Sequence, residues 1–320
     1  MVELDVFKLH SEDDKGKGKI KAVMTCELRK EITKLITDIR SSGIKPTEIA
    51  RLAGVSYISL WDCVFRRSAI SLSLIEKIIE VWSTVTSSSS KENKMEMQKH
   101  IEKLCYGTGS QKRYANAIIA VSDALAKLIG AIIADGHLKE RDTQWDGVKV
   151  KHYEIVLREG PKEHVQLCCN WFNQLFGTDL KPQDGGNHWF IYVSNKIILR
   201  YFTKLIGIPT GNKSGIVKIP EIIKNSNIEI KKSFLEGLFI FDGSVERATA
   251  YIELYMRSPY IIKDVENIMI EIGVKPDYVK IDPDKFSRLI IRKKDKLRIY
   301  AYLFKDSTEK LSRLNGKLSL

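Results

Sequence analysis

Hydrophobic positions recur at helical spacing in the first third of the chain. Residues 27–42 carry apolar side chains on one face, and Gly43 is placed to end the helix. Residues 46–65 read as two short helices joined by a turn at Gly54, and residues 73–82 supply a further packing helix. This pattern predicts a small all-α domain.

From Tyr114 onward the pattern alternates between helical and strand periodicity, and the order of elements repeats. In the first round, a helix at 122–135 and turn-rich sequence are followed by a strand at 151–158, a helix at 162–176, strand material at 189–193 and a helix at 195–206. The second round has helices at 228–242, 261–272 and 296–304, with strand material at 251–257, 278–281 and 288–292. We therefore expect an α+β fold with two tandem, pseudo-symmetric αββαββα repeats behind the all-α domain.

Composition shifts suggest where these parts begin and end. Residues 1–24 are polar and are expected to form a flexible lead-in. A helical domain would occupy 25–83, and the serine-rich stretch that follows would open a linker over 84–113. The two repeats would then span 114–215 and 216–320.

Two similar strings open the repeats. They are LIGAIIADG, residues 128–136, and LEGLFIFDG, residues 235–243, and each has a Gly five positions before a terminal Asp-Gly. Gly130 and Gly237 would let two helices approach closely, while Asp135 and Asp242 would leave a carboxylate at each helix tip. Packed side by side, the two helices would bring both carboxylates to one point.

Close helix packing also requires small residues every four positions. The first helix has them at Ala126, Gly130 and Ala134, whereas the second has Ser233 and Gly237 and then Phe241. Two outcomes follow for the second helix. Either Phe241 turns aside into the core of one half, or the helix ends splay apart and the site between the carboxylates is loosened.

Charge and cysteine content narrow the class of protein. Lys and Arg total 52 against 40 Asp and Glu, a net charge of +12, which favours a polyanionic partner. The five cysteines form no CxxC pair, which argues against a disulfide framework or a zinc finger. With no apolar run long enough to span a membrane and no signal-peptide pattern, we expect an intracellular protein with no membrane partner.

The twin Asp-Gly strings in this setting resemble the double signature of the LAGLIDADG homing endonucleases. The resemblance covers residues 114–320 and implies a site-specific double-stranded DNA endonuclease, acting as a monomeric pseudo-dimer. Asp135 and Asp242 would then hold Mg²⁺, with Mn²⁺ as a substitute, because carboxylate-bound metal ions activate water and stabilise the leaving oxygen. The join LIGIPTGNKSGIVKIP, residues 205–220, would aim Lys213 at the site, and Lys310 would be its looser counterpart.

In the same family the strands form a curved saddle that reads DNA. The candidate contacts are polar and basic residues on the predicted strands and their ends. Among them, Arg158 and Arg257 stand at the ends of matched strands that lead into helices, and they are expected to approach the cleavage site. The main candidates are Lys151, Arg158, Arg247, Arg257, Arg288 and Arg292.

Residues 46–65 resemble a helix-turn-helix of the phage-repressor type. The resemblance implies that Ser56, Tyr57 and Ser59 face DNA, with Arg66 and Arg67 near phosphates. A helical hairpin that binds protein, or nothing, is the alternative.

The termini lack the residues of a protein-splicing intein, so the chain is expected to be free-standing. Two other functions remain open. One is a DNA-binding transcriptional regulator that has lost cleavage, which Phe241 favours, and the other is an RNA-binding intron maturase. Both retained Asp residues favour the endonuclease.

Overall fold

A computed structural model describes residues 2–145, 148–246 and 251–318. The chain divides into two compact units. One comprises residues 3–119, and the other comprises residues 120–320 together with Val2. Across the described ranges, no helix combines the length and apolar character needed to cross a bilayer.

The unit of residues 3–119 contains a sheet as well as helices. The sheet is antiparallel with strand order β2-β1-β3-β4, so the prediction of an all-α domain is wrong. Its strands are only three or four residues long, which leaves no local periodicity to detect, and β1 pairs with β2 and β3, which are far away in sequence. The elements are β1 (Lys21–Val23), α1 (Cys26–Ser41), α2 (Pro46–Leu52), α3 (Tyr57–Trp61), β2 (Ala69–Ser71), α4 (Leu72–Thr86), α5 (Ser90–Gln98), β3 (Lys103–Tyr106) and β4 (Arg113–Asn116).

The predicted flexible lead-in and linker both belong to this folded unit. Val6, Phe7 and Leu9 form a buried 3₁₀ turn, and Ile20 is buried beside β1. Residues 84–113 include α5, β3 and the buried Leu104. Both predictions are wrong because a few apolar side chains in polar sequence gain their burial from distant partners.

The two short helices expected around Gly54 are present. Gly54 has a φ of +69°, which glycine adopts without strain, and it separates α2 from α3. The Ser56 hydroxyl accepts a hydrogen bond from the Ser59 amide at the start of α3. The chain then continues from α3 into a π-type turn at Asp62–Arg66.

The unit of residues 120–320 contains two copies of one αββαββα arrangement, as predicted. The first copy has an antiparallel sheet in the order β5-β6-β8-β7. Its strands begin directly at Gly136, in sequence that was expected to be turn-rich. Its elements are α6 (Asp123–Ala134), β5 (Gly136–Trp145), β6 (Val148–Glu159), α7 (Lys162–Phe176), β7 (Gln183–Asp184), β8 (Trp189–Ser194) and α8 (Lys196–Arg200), which runs on in a π-type turn to Leu205.

The second copy follows a short helix, α9 (Glu221–Lys224). Its sheet has the order β11-β12-β10-β9, the same strand arrangement as in the first copy. Its elements are α10 (Ile228–Asp242), β9 (Gly243–Val245), β10 (Ile252–Met256), α11 (Pro259–Glu271), β11 (Tyr278–Lys280), β12 (Ser287–Ile291), α12 (Lys294–Tyr300) and α13 (Thr308–Leu318). The α+β fold with paired repeats is therefore confirmed.

Candidate active site

The two repeats meet where α6 packs against α10, and the contact is made by backbone. A Cβ atom added to Gly130 would lie 2.4 Å from the carbonyl oxygen of Phe234, and one added to Gly237 would lie 2.0 Å from the carbonyl oxygen of Lys127. No side chain fits at either position. Of the other predicted interface residues, Ala126 is fully buried, and Ala134 and Ser233 are half-buried.

A buried ion-pair network also joins the two helices. Lys127 Nζ on α6 lies 2.8 Å from a carboxylate oxygen of Glu236 on α10 and 2.9 Å from one of Asp306. Lys305 Nζ approaches the other oxygen of Glu236 at 3.0 Å. Glu236 is almost completely buried, so these partners compensate a carboxylate that would otherwise be costly to desolvate.

Each helix passes directly from its Asp into a strand. Asp135 caps the C-terminus of α6, and Asp242 is the last residue of α10. A Cβ on the following Gly136 would lie 2.6 Å from the Ile132 Cα, and one on Gly243 would lie 2.5 Å from the Phe239 oxygen. The Asp-Gly pairs are thus explained by space: only glycine lets the strand leave so close to the preceding helical turn.

The two aspartates influence each other electrostatically. Burial, and then the negative charge of Asp135, raise the pKa of Asp242 to about 7, while Lys213 and Lys310 oppose the shift. Asp135, Lys213 and Lys310 therefore lie close enough to Asp242 to change its pKa.

Lys213 and Lys310 contact the ends of the two helices. Lys213 Nζ donates to the Ile133 carbonyl at 2.7 Å, and Lys310 Nζ donates to the carbonyls of Ile240 and Gly243, both at 2.6 Å. Burial lowers the pKa of both lysines below the ordinary value, whereas nearby carboxylates raise it. Both ammonium groups complement the negative end of a helix dipole, so the looser prediction, Lys310, lies in a position equivalent to that of Lys213.

Glu159 is a member of the site that sequence reasoning missed. Burial and a hydrogen bond with Asp135 raise the pKa of Glu159 to about 7. Glu159 ends β6 and shares a strand face with the buried Ile155 and Leu157, because side chains alternate along a strand. That alternation was the available signal, and it pointed to Glu159 rather than to its neighbour Arg158.

Strand register corrects the matching of the two arginines. Gly136 pairs with Leu157, and Gly243 pairs with Leu254, which makes the two leucines equivalent. Arg158 is then equivalent to Tyr255, not to Arg257. Arg257 lies two residues further along, exposed, with its Nε near Gly215.

Arg158 lies on the exposed face of the first sheet. It borders an open cleft of about 340 Å³ together with Lys139, Arg141 and His188. Lys151 differs, because strand alternation puts it on the other face, where its Nζ lies 3.1 Å from a Glu140 carboxylate oxygen. Their roles in DNA binding stay predictions.

On the second sheet, two of the candidate DNA-binding arginines contact side chains of the protein itself. Arg288 is ion-paired with Glu253 on the neighbouring strand, and Arg292 places its guanidinium over the Tyr251 ring at 5.8 Å. Arg247 lies outside the described residues.

Phe241 turns aside, the first of the two outcomes expected from its position. Its side chain is buried, and its ring centroid lies 5.8 Å from that of His164 on α7. The close approach of the two helices at Gly130 and Gly237 is retained in the presence of this ring.

The donor set at the helix tips suits a hard cation. The oxygens of Asp135 and Asp242 are of the type that Mg²⁺ prefers, and burial, followed by the negative charge of Asp135, raises the pKa of Asp242. In the described ranges, no group of three or more His, Cys, Asp and Glu side chains is placed to hold a metal ion. An ion held by the two aspartates would therefore complete its shell with water and phosphate oxygens, which is the usual habit of Mg²⁺.

The predicted DNA-facing residues of the first unit lie around α3. Tyr57 is exposed, with its ring centroid 6.1 Å from that of Trp61, and Arg66 is ion-paired with Asp62 at 3.5 Å. Ser56 donates its hydroxyl hydrogen to the Ser59 hydroxyl at 2.9 Å. Arg67 is exposed just beyond the π-type turn. Their contact with DNA stays a prediction.

Comparisons with known proteins match parts of the chain. One relative is the glutamine–fructose-6-phosphate aminotransferase [isomerizing] of Methanocaldococcus jannaschii. It is 25% identical over 210 residues, and the match covers 61% of this chain and 18% of that protein. The chain is 30% identical over 195 residues to the replication factor C small subunit of the same organism, covering 53% of this chain and 10% of that protein. The chain thus spans less than a fifth of the length of these curated relatives.

Solved structures of two homing endonucleases are also similar. I-DmoI in complex with DNA and Mn matches at 18% identity and a TM-score of 0.43, covering 57% of this chain and 97% of that chain. I-SmaMI bound to uncleaved DNA in the presence of calcium matches at 11% identity and a TM-score of 0.40, covering 62% of this chain and 98% of that chain.

The second repeat matches the protein family described as the LAGLIDADG-like domain. The match runs over residues 229–303, from the first turn of α10 through α12. It includes Gly237 and Asp242 of the second Asp-Gly string. The resemblance is therefore confirmed for residues 229–303, which match the LAGLIDADG-like domain.

Proposed function

We propose that this protein is a site-specific endonuclease of double-stranded DNA that depends on Mg²⁺ or Mn²⁺. One observation carries the proposal: Asp135 and Asp242 stand at the tips of two helices packed backbone to backbone, with the buried Lys213 at one tip and the half-buried Lys310 at the other. A chain of net charge +12 that presents two such tips is suited to a phosphodiester substrate.

Asp135 and Asp242 would hold the metal, which when bound activates water and stabilises the leaving oxygen. Lys213 and Lys310 each have three donor hydrogens. Backbone carbonyls accept hydrogen bonds from both ammonium groups, and the positive charge of the two lysines can stabilise negative charge developing on the scissile phosphate. Glu159, in hydrogen-bond contact with Asp135, can hold a proton at that carboxylate.

The two repeats give one chain both halves of the site. Asp135 comes from the first repeat and Asp242 from the second, so a single copy can act on both strands as a pseudo-dimer. On the first sheet, Lys139, Arg141 and Arg158 border one exposed cleft, which suits contacts to DNA. We assign the base and phosphate contacts to this face and to its counterpart in the second repeat.

The position of Phe241 supports an endonuclease over a regulator. The regulator drew its support from Phe241, and that ring packs against His164 while the helix contact is kept. A protein that only binds DNA has no use for two carboxylates that repel phosphate. An intron maturase would require RNA as the preferred substrate, which the following test includes.

The test is cleavage of a randomised duplex library with Mg²⁺ or Mn²⁺, followed by sequencing of the new ends. We expect cuts at one defined sequence, and none with a chelator. Binding without any cut in either metal would establish the regulator, and preferential binding of a structured RNA pool over duplex would establish the maturase. The double variant Asp135→Asn/Asp242→Asn is the matched control for contaminating nuclease.

A further inference from the structure

We propose that an open cleft in the unit of residues 3–119 binds the phosphodiester backbone of duplex DNA. The cleft, here called the phosphate cleft, has a volume of about 340 Å³. Lys21, Arg67 and Lys112 line it together with Ser68 and Thr108, and the described residues of its lining include no Asp or Glu. Its wall thus offers three cations and two hydroxyl groups.

The three cations come from three segments that the fold brings together. Lys21 lies on β1, Arg67 follows the π-type turn after α3, and Lys112 immediately precedes β4. Lys21 pairs across the sheet with Cys105 on β3. Burial raises the pKa of the Cys105 thiol, and the charges of Lys112 and Lys21 both oppose that rise, which fits two ammonium groups converging on one spot.

The backbone that presents Arg67 is held in place. The Arg67 amide donates to the Asp62 carbonyl at 2.9 Å, and the Arg29 guanidinium donates to the carbonyls of Val64 and, at 3.0 Å, Arg67. The next carbonyl, that of Ser68, accepts from the Met24 amide at 2.9 Å. The Arg67 side chain itself is exposed and lines the cleft, so a fixed backbone presents its guanidinium there.

The opposite wall is a tight glycine-containing turn between β3 and β4. Gly107 and Gly109 have φ values of +82° and +55°, and a Cβ on Gly107 would lie 2.6 Å from the Gln111 oxygen. With no side chains at these two positions, an anion can approach the backbone closely. Lys112 Nζ lies 5.0 Å from the centroid of the Tyr114 ring, which positions its ammonium beside this turn.

The lining chemistry favours a polymer phosphate over a small nucleotide. The described lining has no aromatic side chain to stack on a base and no carboxylate to accept from ribose hydroxyls. The cleft is also open at Arg67, Ser68, Thr108 and Gly109, which are exposed. A phosphodiester backbone needs only the cations and hydroxyls present. The inference rests on the proposed function only in taking DNA as the polyanion, and it requires no base reading by α3.

The test measures binding of the full chain to a labelled random duplex by anisotropy over a range of salt, in a chelator so that no strand is cut. Lys21→Gln/Lys112→Gln removes two cations of the phosphate cleft. We expect the slope of log K against log salt to fall by about 0.9 for each lost phosphate contact. Lys30→Gln, at an exposed position of α1, is the matched control and should keep the slope. Lys21→Arg/Lys112→Arg should also retain it, which separates lost charge from misfolding.

An unchanged slope in the Gln double variant would overturn the inference, as would an equal fall in Lys30→Gln. Inorganic phosphate and AMP serve as competitors. If they bind the wild type and lose binding in the Gln double variant while the duplex slope is unchanged, the cleft is a small-anion site and not a DNA contact.

Library cleavage, run in parallel, keeps the two proposals apart. If the wild type cleaves DNA and the Gln double variant keeps the wild-type salt slope, only the proposal for the phosphate cleft is refuted. If the salt slope falls in the Gln double variant but the wild type cleaves nothing, only the endonuclease proposal is refuted. If the wild type does not bind duplex DNA, both proposals are refuted.

Discussion

Lys213 and Lys310 make the same contact at two different helix ends. Lys213 donates to the carbonyl of Ile133, two residues before Asp135, and Lys310 donates to that of Ile240, two residues before Asp242. The lysines lie 97 positions apart by their numbers, in unrelated local sequence. The pseudo-symmetry of the repeats therefore extends to the side chains around the paired carboxylates.

This relationship predicts that each lysine serves one strand of the DNA. Lys213→Met and Lys310→Met should each slow cleavage of one strand by about 10²-fold or more, the usual cost of removing one group that stabilises transition-state charge. On a supercoiled plasmid carrying the target, each variant should accumulate nicked circles, and strand-specific end-labelling should assign opposite strands to the two variants. Equal slowing of both strands by one variant would contradict the assignment.

The aspartates should be required for chemistry and dispensable for binding. Asp135→Asn and Asp242→Asn should each abolish detectable cleavage while leaving duplex affinity equal or higher, because an anion facing phosphate is removed. Cleavage and anisotropy measured on the same target give both quantities. Asp284→Asn, an exposed residue between β11 and β12, is the control and should cut normally. Cleavage at the wild-type rate by either active-site variant would refute the two-carboxylate site.

Stability without metal should fall as pH rises through the site's carboxyl titration. Asp242 titrates near pH 4 when unfolded, and its folded pKa is raised to about 7. Between these values the folded protein holds more protons than the unfolded chain, so the free energy of unfolding decreases with rising pH. The contribution of the Asp242 carboxyl to the free energy of unfolding is fully present below about pH 4 and is lost by about pH 7, a difference on the order of a few kcal/mol.

Asp242→Asn should therefore raise the thermal unfolding temperature at pH 8 and have a much smaller effect at pH 5. Calorimetry in a chelator measures both, with Asp284→Asn as the exposed control. Equal effects of Asp242→Asn at the two pH values would show that the carboxyl is not destabilised by its surroundings.

The backbone contact between α6 and α10 should tolerate no added methyl group. Gly237→Ala would put its Cβ 2.0 Å from the Lys127 oxygen, so the helices must separate. We expect a loss of about 1–3 kcal/mol or more in the free energy of unfolding, as in other overpacked interiors. Cleavage should fall as well, because separated helices separate the carboxylates.

Gly316→Ala on α13 is the matched control, since an added Cβ there has no atom of the described residues within 4 Å. It should leave stability unchanged or raise it by about 0.5–1 kcal/mol, because alanine suits a helix interior better than glycine. Denaturant unfolding of both variants gives the comparison, and equal stability of Gly237→Ala and the wild type would show that the helices are not in backbone contact.

Local sequence determined the centre of this protein. Gly130, Gly237 and the two terminal Asp-Gly pairs are local instructions for close helix packing and for a direct helix-to-strand exit, and they can be read within one turn of helix. Helical periodicity also gave the repeat order, since apolar side chains three and four residues apart share a face wherever the helix lies.

Only the tertiary structure decided which residues meet across strands. Glu159 joins Asp135, and Arg158 corresponds to Tyr255, because of a strand register that no single strand encodes. The sheet of the first unit was missed for the same reason: its strands are short and gain their hydrogen bonds from partners distant in sequence. The sequence left two positions open for Phe241, and packing against His164 on another helix selected one of them, because side-chain burial depends on neighbours that the local pattern does not contain.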